Sequence, residues 1–219
     1  MTDNCANCGE KIHDGGMFAS PNYRVPDKDI KIVNQVLKTA YSELCNHCGK
    51  KIVEDSIGVL RNEMESCQSY FQDHITDFPM MTISQAPVNA KCRIKAMVTA
   101  NVSVGTGIFN ELSQGFSDMF GATNTTSGMA HKINSGESTA RAIIVDKAMK
   151  MGANCVIGVD IDYGTTNNNA ATVNMQGTAV SIANLDEILD EAEFDAAQKI
   201  QSAYSRAKEL SWNLRGKFL

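Results

Sequence analysis

Nothing in the 219-residue chain approaches the roughly 20 apolar residues that a membrane-spanning helix needs. The opening residues, Met1-Thr-Asp-Asn-Cys5, lack the apolar core of a secretory signal. No Ser/His/Asp or Cys/His constellation is evident, and Gly105-Thr-Gly107 lacks the remainder of a phosphate loop. These absences point away from an enzyme. Basic charge is also short. Twenty Lys and Arg stand against 25 Asp and Glu, for a net charge of -5, which disfavours a general nucleic-acid-binding surface. What is present is ordinary: 43% hydrophobic residues suffice for a core, and 21% charged residues do not suggest wholesale disorder. The length suits one domain and a small module. Seven cysteines are an odd number, and four of them fall in two pairs. That layout fits a metal site in a reducing cytosol better than a disulfide framework, so a cytoplasmic protein is expected.

The pairs are Cys5-Ala-Asn-Cys8-Gly9 and Cys45-Asn-His-Cys48-Gly49, and they continue alike into Glu-Lys-Ile12 and Lys-Lys-Ile52. Two thiolates separated by two residues grip one tetrahedral ion, and the following glycine lets the backbone amides turn toward the sulfurs. Two such knuckles make a four-thiolate site from Cys5, Cys8, Cys45 and Cys48, which in a structural role favours Zn2+. A redox CxxC needs a thioredoxin-like βαβ context that neither pair has. His47 reads as a spacer, and His13 has no partner in sequence. Between the knuckles, Asp27 is expected to cap a helix whose apolar face runs through Ile30, Val33, Leu37, Ala40, Tyr41 and Leu44. A second helix should carry Ile57, Leu60, Met64, Cys67, Phe71 and Ile75 on one side, with Cys67 in the core. Asp77-Phe-Pro79 ends it and sets a boundary, giving a zinc-ribbon module over 1–78. Such ribbons dock onto partners, or simply staple a fold too small to hold a core unaided.

The next segment centres on Ser138 to Tyr163. Ala140, Ile144, Ala148 and Met151 recur at helical spacing, Gly152 stops the helix, and a strand follows. In that strand Cys155, Ile157, Val159, Ile161 and Tyr163 are expected on one face, with Asn154, Val156, Gly158, Asp160 and Asp162 on the other. Upstream, Lys91 to Gly105 alternates strictly, placing Cys92, Ile94, Ala96, Val98, Ala100, Val102 and Val104 together, with a bend near Ala96. Ile108, Phe109, Leu112, Phe116, Met119 and Phe120 suggest a short helix, then a polar loop up to the central helix. Gly164 to Asn169 reads as a turn, and Ala171 to Ile182 as a last strand. The order is strand, helix, strand, strand: an α+β layer with helices on one face of an antiparallel sheet.

Four motifs in this segment resemble the YbjQ-like family of heavy-metal-binding domains. They are Thr106-Gly-Ile-Phe-Asn-Glu-Leu, Phe116-Ser-Asp-Met-Phe-Gly, Gly152-Ala-Asn-Cys-Val-Ile-Gly-Val-Asp-Ile-Asp-Tyr and Gly177-Thr-Ala-Val. The resemblance covers roughly Met80 to Ile182 and implies a dodecin-like β-α-β-β subunit that assembles into a ring-shaped homopentamer. It places the domain at 79–183. On the central strand, Asp160 and Asp162 share a face ~7 Å apart. They read as solvent-side residues, or, repeated around a ring, as ligands for a hard cation. Cys92 and Cys155 lie on apolar faces, while His74 and His131 read as solvated.

The remaining residues, 184–219, are expected to form an amphipathic helix capped by Asn184. Leu185, Leu189, Ala192, Ala196, Ile200, Ala203, Ala207, Leu210 and Leu214 form its seam, acidic residues its start and basic ones its end. It could lie on its own subunit, pack between neighbours, or anchor to a partner through Trp212, Leu214, Phe218 and Leu219. The leading expectation is therefore a ring-forming scaffold or binding protein with a structural zinc, in which the ribbon or the tail meets a protein partner. The alternatives are a metal-handling protein using Asp160 and Asp162, and an enzyme at a subunit interface.

Overall fold

The computed structural model describes residues 4–15, 20–104, 129–165 and 171–215. The chain packs as two compact units: Met1–Ser66 with Ala207–Leu219, and Cys67–Arg206. These cut across the sequence segments 1–78, 79–183 and 184–219, because two long helices each contribute residues to both units.

The larger unit is built on three strands, β1 (Cys92–Val104), β2 (Cys155–Thr165) and β3 (Ala171–Ile182). They form an antiparallel sheet in the order β1-β3-β2. One helix of this unit, Met129–Lys150, precedes β2 and gives the chain order β-α-β-β. Its buried side chains Ala140, Ile143, Ile144, Val145 and Ala148 join Val98, Ala100 and Val102 of β1 and Val173, Met175 and Ala179 of β3 in one core. The helix starts nine residues before Ser138, through a stretch whose Ser, Asn and Gly content reads as loop. The buried Thr139 hydroxyl donates to the Ser135 carbonyl one turn back (2.8 Å), and packing overrides weak helix propensity there. Gly152 ends the helix as expected, at φ 71°, and the Ala153 amide donates to the Ala148 carbonyl at 3.0 Å. Met151 falls in that turn rather than on the stripe, and is exposed.

Both outer strands depart from strict alternation. The β1–β3 register shifts between Ile94 and Ala96, so Ile94, expected with Val98, is 76% exposed. The β2–β3 register shifts between Ile157 and Asp160, where Gly158 has φ 63°. The shift divides the expected face in two. Cys155 and Ile157 belong to one cluster, whereas Val159 and Ile161 pack with Val156 in the core under the helix. A single extra residue exchanges the faces of everything beyond it.

The face of the sheet away from the helix is therefore covered at one end. Cys155, Ile157, Val180, Ile182 and Leu185 pack there with Met81, Cys92 and Phe194. The segment 79–83 also lines the β2 edge. The Val156 amide donates to the Pro79 carbonyl (2.9 Å), the Met81 amide to Val156 (2.8 Å) and the Gly158 amide to Ile83 (2.7 Å). That cover occupies an edge otherwise open to another strand.

The tail does not begin as a helix at Asn184. A 3-10 turn, Leu185–Glu187, comes first, and the long helix spans Glu191–Asn213. Asn184 makes no cap. Its buried amide accepts from the Lys91 amide (2.7 Å) and donates to the Asn89 carbonyl (3.0 Å), joining the end of β3 to the start of β1. Asp190 is the cap, accepting from the Glu193 amide at 2.8 Å. Further along, the Tyr204 hydroxyl donates to the buried carboxylate of Asp146 (2.9 Å), which also accepts from Lys150 (2.6 Å). Burial and the neighbouring carboxylate raise the Tyr204 pKa, so the phenol stays protonated as donor.

In the smaller unit, α1 (Asp27–Leu37) has Pro26 rather than Asp27 at its cap position; Asp27 pairs with Arg24 at 2.7 Å instead. It stops at Lys38, φ 55°, short of the expected Leu44. There the Asn34 side chain accepts from the Tyr41 amide (2.8 Å) and donates to its carbonyl (2.9 Å), turning the chain back. The following helix, α2 (Asn46–Asp73), begins inside the second knuckle. Ile32, Leu60, Met64, Leu210 and Leu214 form a core in this unit. The helix in the larger unit is accordingly α3 and the terminal one α4.

The helix expected over Ile108–Phe120, residues 166–169 of the expected turn, and Phe218 with Leu219 lie outside the described residues, whereas Gly164 and Thr165, expected in that turn, extend β2. Among the described residues no helix is long and apolar enough to cross a membrane.

Gly177 tests the β2 irregularity. A Cβ there would meet Val156 Cγ1 at 2.6 Å and the Ile157 carbonyl at 3.3 Å, against the bulged strand. Gly177→Ala is expected to destabilise the protein by about 1–3 kcal/mol in urea unfolding, and Thr178→Ala beside it by much less.

Candidate metal centre

The two matched knuckles fold differently. In the first, Cys5 to Gly9 is a tight turn: the Gly9 amide donates to the Cys5 carbonyl at 2.9 Å, and Gly9 sits at φ 74°. In the second, Cys48 and Gly49 lie in the first turn of α2, and the Gly49 amide donates to the Cys45 carbonyl at 2.8 Å. Gly49 is needed for space instead of for conformation. A Cβ would meet Val25 Cγ2 at 2.7 Å and Leu44 Cβ at 3.1 Å. The expectation that both glycines serve one purpose is thus corrected, because a helical residue does not require positive φ.

Backbone pairing brings the knuckles together. The Ala6 amide donates to the Glu43 carbonyl (2.9 Å), the Val25 amide to Leu44 (2.9 Å) and the Asn46 amide to Tyr23 (2.7 Å). Asn22, which sequence reasoning missed, is 2% exposed. Its side chain donates to the Lys11 carbonyl (3.2 Å) and accepts from the His47 amide (3.3 Å), joining the residues after the first knuckle to the interior of the second. Nothing in the local sequence distinguishes it from a loop asparagine.

As a result the sulfurs of Cys5, Cys8, Cys45 and Cys48 all lie within 4.8 Å of one another. Cys5 and Cys48 are 3.5 Å apart, Cys8 and Cys45 3.6 Å, and Cys45 and Cys48 3.6 Å. Sulfurs held at about 2.3 Å around a tetrahedral ion would be about 3.8 Å apart, so the donor set fits one metal ion. No disulfide joins any of the seven cysteines.

The thiols are electrostatically unequal. Burial opposes ionisation of Cys5, but backbone hydrogen bonds from Cys45, Cys8 and Asn7 bring its pKa down to about 6. Cys48 is pushed up to about 12 by burial and by the three other sulfurs, against a favourable contact with Asn7. Cys8 also rises: a backbone hydrogen bond from Glu10 lowers it, and burial with the Cys45 and Cys5 sulfurs outweighs that. The Cys5 thiolate forms readily, and Cys8 and Cys48 resist joining it until a cation offsets the repulsion.

The other candidates separate from this centre. Asp160 and Asp162 lie exposed on one face of β2, opposite Gln176 and Asn174. Gln176 donates to Asp160 at 3.3 Å. No third His, Cys, Asp or Glu completes a group with them among the described residues. Cys155 is buried and raised to about 12 by burial and by Cys92, leaving it an inert core thiol. Cys67 is half-buried on α2. His47 is exposed and 3.3 Å from Glu10. His13 accepts from the Gly15 amide at 3.1 Å. His74, expected to be solvated, contacts Asp77 at 2.9 Å and stacks on Tyr70 at 4.2 Å. The side chain of His131 lies outside the described residues.

Metal binding at four cysteines must displace thiol protons, so uptake should acidify a weakly buffered solution and weaken as pH falls. Cys45→Ser should abolish this proton release and unfold the smaller core of Val25, Val33 and Leu44. Circular dichroism and calorimetric titration would check both effects, the β-sheet signal of the larger unit being retained.

Comparison with known proteins bears on the larger unit. Residues 79–183 match the YbjQ-like family model, whose description is "Putative heavy-metal-binding". A "UPF0145 protein" from Geobacillus thermodenitrificans (strain NG80-2) is 33% identical over 86 residues, covering 39% of this chain and 81% of the relative. A second, from Bifidobacterium longum (strain DJO10A), is 34% identical over 91 residues, covering 41% and 81%. A crystal structure of a protein with unknown function from Pediococcus pentosaceus aligns with a TM-score of 0.32 and 19% identity, covering 47% of this chain and 95% of that one. None of these descriptions indicates an enzymatic family. The four-cysteine centre lies wholly outside the matched residues, and through 79–183 the chain belongs to the YbjQ-like family.

Proposed function

We propose that the chain is a non-enzymatic, metal-binding scaffold: its YbjQ-like domain assembles into a homopentameric ring, and its four-cysteine module carries a structural zinc ion and engages a protein partner. The observation that carries this proposal is the set of four cysteine sulfurs within 4.8 Å. Four thiolates and no open position suit zinc in a structural role, since a catalytic zinc keeps a site for water. The smaller unit also needs such support. Its apolar residues divide into two small clusters, one around the cysteines with Val25, Ile30, Val33, Leu44 and Val53 and one of Ile32, Leu60, Met64, Leu210 and Leu214, little for an independent fold. Seven free cysteines accord with a reducing, cytoplasmic setting.

The ring and partner parts of the proposal rest on family resemblance and on surface left available, including the exposed Ile94 and Met97 on β1. A second proposal is metal handling by Asp160 and Asp162, supported by their shared exposed face. Each subunit alone offers two carboxylates there, so that role depends on neighbours in a ring.

Native mass spectrometry of protein purified without added metal tests these proposals together. A five-chain assembly with one zinc per chain is the expected result. Metal beyond that ratio, lost in Asp160→Asn/Asp162→Asn, would favour metal handling. A metal-free monomer would overturn the scaffold and the zinc site together.

A further inference from the structure

The sequence carries no run of mixed basic and aromatic residues, yet the fold of the smaller unit assembles such a surface from distant segments. Lys28, Lys31 and Gln35 recur at helical spacing on the exposed side of α1. The end of α4 and the residues after it add Trp212, Asn213 and Arg215. Together they line a cavity of about 430 Å³, with Ile32 as apolar floor. Among the described residues, three cations and no carboxylate line it. This is notable in a chain of net charge -5. The nearby acidic side chain of Asp27 is held by Arg24 at 2.7 Å.

The groups are already arranged relative to one another. Lys28 Nζ donates to the Arg215 carbonyl at 3.0 Å, tying α1 to the end of the chain's described part. The Arg215 guanidinium lies 4.6 Å from the centre of the Trp212 ring. The indole is 67% exposed, which wastes a large apolar surface unless something covers it. A planar ring with an attached anion satisfies all of these features. The indole offers a stacking face, the guanidinium and two ammonium groups pair with phosphate oxygens, and the Gln35 and Asn213 amides can read ring edges.

We infer that this cavity binds a nucleotide, with Trp212 stacking on the base and Lys28, Lys31 and Arg215 holding the phosphates. The volume falls in the range of small-ligand sites and suits a mononucleotide better than a polymer track. The inference is independent of the zinc site and of the ring.

Trp212 is the sole tryptophan of the chain, so its emission reports on this cavity alone. The experiment is a fluorescence titration of the full-length, metal-loaded protein, excited at the red edge of tryptophan absorption. ATP, AMP, adenosine, orthophosphate and a single-stranded deoxythymidine oligomer are the probes. Saturable quenching by ATP, stronger than by adenosine or orthophosphate, is expected. Lys31→Glu, an exposed change on α1, should weaken ATP binding by about tenfold or more, with circular dichroism and metal content unchanged. Equilibrium dialysis of Trp212→Ala against ATP should show a parallel loss without relying on emission. The inference is overturned if ATP gives no saturable quenching, if orthophosphate quenches equally, if only the oligomer binds, or if Lys31→Glu binds ATP unchanged.

Discussion

Four sulfur atoms within 4.8 Å cannot all carry negative charge unless a cation or protons lie among them. This electrostatic constraint governs the smaller unit. Its apolar residues divide into two small clusters, and the chain from Cys5 to Cys48 is closed on itself by backbone hydrogen bonds that position the thiols. The asymmetry of the centre follows from its surroundings. Cys5, on a turn rich in inward amides, ionises easily, while burial and the neighbouring sulfurs hold Cys48 protonated. A metal ion would remove that difference by supplying the same positive charge to each.

The larger unit is organised differently, by burial. The apolar stripe of α3 rests on one face of a three-stranded sheet, and a second cluster on the opposite face closes one end. Two register shifts make this possible. Each re-aims the strand beyond it, so that β2 serves one face with Cys155 and Ile157 and the other with Val159 and Ile161. The same shift leaves Asp160 and Asp162 on the polar outer face, beside Gln176 and Asn174, where carboxylates are hydrated at little cost.

Among the described residues, the sequence by itself determined the strand-helix-strand-strand order of the larger unit, the strand Ala171–Ile182 to the residue, the stop at Gly152 and which four cysteines lie together. Each is a local matter: period two in a strand, positive φ at a glycine, or paired thiols two residues apart. The tertiary structure alone decided the rest. Ile94 was expected inside and lies outside, because one extra residue in a strand is invisible in its alternation until the partner strand is known. Asn184 was expected to cap a helix and instead bonds Lys91 and Asn89, since an amide side chain takes whichever backbone partners the fold presents. Asn22 and the Lys31–Trp212 cavity were illegible for the same reason: their meaning depends on residues far away in the chain that only folding brings near.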